Sequence, residues 1–121
     1  VVFLEAGCQW VPFIIERIHH RFKNQGSTLR KFLPQTAPIQ KLPVMEYIKQ
    51  GNIYVSTEVE DEILPNVLNL VGEGQVIFGS DMPHGDRDRC AAAILQKRSD
   101  ISESAKMSIL EKNPAKLYGI G

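Results

Sequence analysis

The residues best suited to chemistry stand where apolar runs stop. The run Val76-Ile77-Phe78-Gly79-Ser80 ends at Asp81, and Pro83 and His84 follow within three positions. An ionised carboxylate at that point can take a proton from a bound water or coordinate a divalent cation, although an aspartate there can equally cap the turn that follows. His84 has the reach to bind substrate, ligate a metal or orient Asp81, against the plainer reading of a structural loop histidine. Glu5 ends the run Val1 to Leu4 in the same way, with a salt-bridged loop glutamate as its plain alternative. Trp10, close behind it, is either a lid over a pocket or core packing.

Other candidates are weaker. Glu60, Asp61 and Glu62 favour the positive end of a following helix, and Glu58 and Glu60 are weak candidates because that helix dipole already accounts for acidic residues there. His19 and His20 are adjacent, so on a helix they point about 100° apart and cannot share one ion. Arg87 and Arg89 could clamp a substrate carboxylate, but Asp86 and Asp88 alternate with them, which suits a self-neutralised loop. No phosphate loop, nucleophile elbow or HExxH pair occurs.

The elements that must position these groups alternate. Val1 to Leu4, Ile53 to Thr57 and Gln75 to Ser80 have the β-branched and apolar content of buried strands. Between them, Val11, Ile14, Ile15, Ile18 and Phe22 recur at helical spacing behind Pro12, Met45 to Gln50 suits a short helix, and Ile63, Leu64, Val67, Leu68 and Val71 mark one face of another. Arg89 to Lys97 follows as a helix, Ser102 can cap a further one to about Lys112, and Asn113-Pro114 restarts a last turn by the rule of an N-cap followed by proline. Ser27 to Pro43, with three prolines, has no such pattern; it suits a substrate lid or a subunit contact. Strands alternating with helices predict an α/β fold with parallel strands, whose C-terminal ends share one face. Glu5, Glu58 and Asp81 then converge at one mouth, where such folds place chemistry.

Composition narrows the class. The chain has 121 residues, 43% hydrophobic and 23% charged, with 14 acidic side chains balancing 14 basic ones, so it should fold as one domain, 1–121, with no broad electrostatic grip on nucleic acid. No segment approaches the roughly 20 apolar residues of a membrane span. Cys8 and Cys90 are far apart and without CxxC spacing, which suits the reducing cytoplasm. A small-molecule partner is expected.

Four stretches together, FLEAGCQWVPF, EYIKQGNIYVSTE, VIFGSDMPHGD and ILEKNPAKLYGI, resemble the C-terminal part of the amidohydrolase-related family of metal-dependent hydrolases and decarboxylases, which includes aminocarboxymuconate-semialdehyde decarboxylases. The resemblance covers nearly the whole chain. It implies a (β/α)8 barrel in which an HxH pair of the first strand, a histidine of the fifth and an aspartate of the eighth hold a divalent metal, commonly zinc. By that resemblance Asp81 is the strand-eight ligand and base; beside it, Glu5 and His84 are expected as further catalytic groups, and Trp10 and Arg87 as substrate contacts, on the residue reading above. The chain would then begin at strand six of a barrel of about 250 residues, and the first- and fifth-strand ligands have no counterpart in it. In decarboxylase members a histidine ends strand six; here that place is Glu5, which favours hydrolysis of a C–N or C–O bond over decarboxylation. The isolated chain should be inactive and should associate, with the missing half of the barrel or with copies of itself. The alternative outside enzymology is a non-catalytic half-barrel that serves as an association module.

Overall fold

The computed structural model describes residues 1–4, 6–24, 41–85 and 89–120. Three strands form one parallel sheet in chain order: β1 (Val2–Phe3), β2 (Tyr54–Thr57) and β3 (Val76–Phe78). The register pairs Val2 with Tyr54, Val55 with Val76 and Thr57 with Phe78, so the strand ends lie together as expected. Each strand is shorter than its apolar run. Every residue of β2, the central strand, is buried, as a strand covered on both faces must be.

Parallel neighbours need crossovers, and helices supply them. Helix α1 (Trp10–Asn24) follows β1, and α2 (Val44–Tyr47) runs into a wider turn, Ile48–Asn52, that breaks at Gly51 with φ 77. Helix α3 (Leu64–Val71) joins β2 to β3, and α4 (Ala91–Lys97), α5 (Glu103–Met107) and α6 (Asn113–Tyr118) complete the order. Their apolar stripes meet one face of the sheet: Val11 and Ile15 of α1, Leu64, Val67, Leu68 and Val71 of α3, Leu95 of α4 and Ile109 close around Val55 and Val76. Full burial of one such side chain contributes about 1.5–3 kcal/mol. Tyr54 and Ile77 alternate with these strand residues and are buried as well.

The C-terminal helices are tied down by polar contacts. Ser102 caps α5 as its sequence suggests, accepting from the Ala105 amide at 3.0 Å, and its hydroxyl also donates to Glu73, as Ser104 does. Asn113 differs from expectation. The chain passes helically through Lys112 into α6, so Asn113 caps nothing; its buried amide instead donates to the carbonyls of Glu73 and Val76 at 2.6 and 2.7 Å. A side chain able to close two orphan carbonyls at the start of β3 contributes more there than at a helix end that does not exist. Most of the segment Ser27 to Pro43 lies outside the described residues.

Candidate functional site at the strand ends

Beyond β3 the ladder runs one residue further, with the Gly79 amide on the Thr57 carbonyl at 2.9 Å. The backbone then turns. Asp81 adopts φ 52, the only positive φ among the described non-glycine residues, and the Met82–Pro83 bond is cis. A side chain held in the left-handed region costs of order 1 kcal/mol, least for Asp and Asn. The turn brings His84 back: its amide bonds the Asp81 carbonyl at 3.1 Å, and its Nδ1 stands 3.0 Å from Asp81 Oδ1. The Asp81 side chain is 11% exposed and that of His84 62%. Sheltered carboxylate and solvent-facing imidazole thus form one pair. Glu58, Val59, Glu60, Gly79, Ser80 and Ala91 line a narrow crevice with Asp81, which realises the convergence of Glu58 and Asp81 expected from the parallel sheet.

Glu5 and Arg87 lie outside the described residues. Trp10 is described, and it does not line that crevice: its ring packs edge-on against Phe3 at 5.1 Å, its Nε1 donates to the Gly7 carbonyl at 3.0 Å, and it lines an apolar hollow with Ile14, Ile18, Ile48 and Ile53. That hollow is the larger of the two, and among the described residues Gln75 is its one polar wall. His19 and His20 are exposed on α1.

Sequence reasoning missed Asp61, reading it as one of three acidic residues favoured by a helix dipole. Its carboxylate is turned inward and 1% exposed. Oδ2 accepts from the amides of Cys8 and Glu58 at 2.9 and 3.0 Å and from the Thr57 hydroxyl at 3.0 Å, while the Gln9 side-chain amide donates to Oδ1. Arg98 Nη1 reaches the carbonyls of Val59 and Asp61 at 3.2 and 2.9 Å, and its other nitrogens grip Asp100, holding that carboxyl below its ordinary range. Beside this cluster, burial first and the Asp61 charge second push the Cys8 thiol up to about 12, so Cys8 is no nucleophile. The signal available in the sequence was small: an aspartate four residues past a Thr that ends a strand.

A zinc ion needs three or four protein donors, and among the described residues no three His, Cys, Asp or Glu side chains come together. Asp81 suits the part of one ligand in a larger set, its carboxylate lodged at the strand ends with one oxygen steadied by an imidazole. It does not make a metal centre alone.

Comparison with known proteins follows the same lines. A family model described as amidohydrolase matches residues 43–120. A 2-amino-3-carboxymuconate-6-semialdehyde decarboxylase of Dictyostelium discoideum is 28% identical over 121 residues, 99% of this chain and 31% of that protein. A crystallised amidohydrolase from Mycobacterium avium subsp. paratuberculosis K-10 superposes with a TM-score of 0.68 at 26% identity, over 99% of this chain and 28% of its own. The chain therefore spans about a third of the length of the relatives it matches.

Proposed function

The chain belongs to the amidohydrolase family, and from that premise we propose that it forms the last three strands, with their helices, of a (β/α)8 barrel enzyme that hydrolyses a C–N or C–O bond of a small molecule with metal-activated water. One observation carries this reading: a non-glycine residue, Asp81, is held in the left-handed region at the end of a parallel strand, its sheltered carboxylate against His84. Strained backbone of this kind clusters at functional sites.

A divalent metal, zinc by family resemblance, would when bound lower the pKa of water and polarise the scissile carbonyl. Asp81 is the residue of this chain that would hold it, and the same carboxylate accepts the proton that the water gives up. His84 fixes Oδ1 and, being mostly exposed, hands that proton on to solvent. Glu5 and Arg87 keep the roles of a second catalytic group and a substrate contact. The remaining ligands come from the rest of a barrel, with which the open edge of β1 pairs; Val1 and Leu4 there are 77% and 54% exposed. A second reading, decarboxylation, is favoured by the named activity of the Dictyostelium relative.

Elemental analysis of the complete protein that carries this segment, beside Asp81→Ala, tests the proposal, with assays for amide and ester hydrolysis and for CO2 release. Near-stoichiometric zinc, lost in the variant, is expected. Zinc that persists in Asp81→Ala would overturn the assignment, CO2 release without hydrolysis would select the second reading, and a metal-free wild type would favour the association module.

A further inference from the structure

Three loops leave the strand ends, and one buried group touches two of them. The loop after β1 presents Cys8 N and the Gln9 amide to Asp61, while the end of β2 presents Thr57 Oγ1 and Glu58 N. Arg98, just past α4, fastens to the backbone of that same turn. We propose that Asp61 is a positioning residue: its carboxylate clasps the Gly7–Gln9 loop to the end of β2 and so holds Glu58, Val59 and Glu60 as the fixed wall of the crevice that faces Asp81.

The donors explain the choice of residue. Two are backbone amides of different segments, that of Cys8 buried and that of Glu58 partly so, and only an acceptor with several lone pairs satisfies them with Thr57 and Gln9 at once. Gly7 completes the fit. A Cβ built there would press on Gln9 Oε1 and lie 2.7 Å from Asp61 Oδ1, and its φ of +55 strains any other residue, so the loop leaves room for both the carboxylate and the Gln9 side chain that donates to it. The bearing of the clasp on chemistry rests on the reading of Asp81 above; the clasp itself does not.

Amide hydrogen exchange on the chain, followed at Cys8 and Glu58 with Gly79 and Ile94 as internal references, separates a local clasp from general stability. The references bond to the Thr57 and Cys90 carbonyls. Asp61→Ala is expected to speed exchange at Cys8 and Glu58 by about tenfold or more and to leave the references nearly unchanged, with Asp61→Asn restoring most of the protection because its amide oxygen still accepts. Parallel acceleration of all four amides, or none at Cys8 and Glu58, would overturn the clasp. Should Asp61→Ala not fold, Gly7→Ala prises the same contact from the opposite side and must give the same local pattern. In the complete protein, zinc titration should show about tenfold weaker binding in Asp61→Ala, recovered in Asp61→Asn. Unaltered zinc affinity in Asp61→Ala, where Asp81→Ala abolishes binding, would overturn the positioning role. Zinc affinity indifferent to Asp81→Ala would instead refute the functional reading, and the exchange result alone then decides the clasp.

Discussion

Asp61 and Asp81 each stand three or four residues past the end of a parallel strand, yet their surroundings differ in kind. Asp61 is 1% exposed and its carboxylate is met by the amides of Cys8 and Glu58 and the side chains of Gln9 and Thr57. Asp81 pairs with a histidine that faces solvent, and its own backbone sits at φ 52. Partners that cannot move make a carboxylate part of the scaffold. A titratable, solvent-facing partner on a strained backbone makes one that can respond to what enters the crevice.

The contrast is broken most severely at Asp61. Asp61→Ala leaves the buried amide of Cys8 and the part-buried amide of Glu58 without their acceptor, and with a buried orphan costing about 1–3 kcal/mol a loss of about 3 kcal/mol is expected in urea unfolding, larger than any substitution at Asp81 or His84. Cys8 reports on the same cluster through pH. Its ordinary value is 9.0 and its folded value about 12, so between these limits the unfolded chain releases the thiol proton while the folded one keeps it. Stability therefore falls as pH rises through that window. Urea midpoints at about pH 8 and 10.5, the span set by these values, should fall further apart in wild type than in Cys8→Ala, with Asp61→Asn between the two. A smaller effect separates two variants of Asp81. Glycine accepts a positive φ and alanine does not, so Asp81→Gly should be more stable than Asp81→Ala by up to about 1 kcal/mol; equal midpoints would mean that the backbone relaxes when the carboxylate is gone. His84→Ala is expected to change stability by less than about 0.5 kcal/mol, because the imidazole is largely exposed and an ion pair with an exposed partner contributes little.

The sheet was readable because its signals are local: Val76-Ile77-Phe78 has no plausible place but a buried strand, and Leu64, Val67, Leu68 and Val71 repeat at the spacing of one helix face. Asp81 was readable for the same reason, standing where such a run stops. Asp61 was not. Its partners at Cys8 and Gln9 lie 53 and 52 residues away, and its neighbours Glu60 and Glu62 offered a ready explanation in the helix dipole that hid the inward turn of one carboxylate among three. Asn113 misled by resembling a cap, since a local rule for helix starts cannot see that the helix has already begun. Trp10 was ambiguous because a residue at the start of a helix behind a strand can face the mouth or the core, and its partner Phe3 is itself 45% exposed.

Ser102 carries a constraint of another sort. Its hydroxyl accepts the Ala105 amide while giving its proton to Glu73, so the position must supply a lone pair and a hydrogen from one small group. Aspartate satisfies the first demand and sets a second negative charge against Glu73, glycine satisfies neither, and alanine leaves an amide without its cap and one Glu73 oxygen without its donor, the other still held by Ser104. Of the residues that begin helices well, serine and threonine alone answer both demands from a single oxygen. The set of codons tolerated at this one surface position is therefore narrower than its exposure suggests.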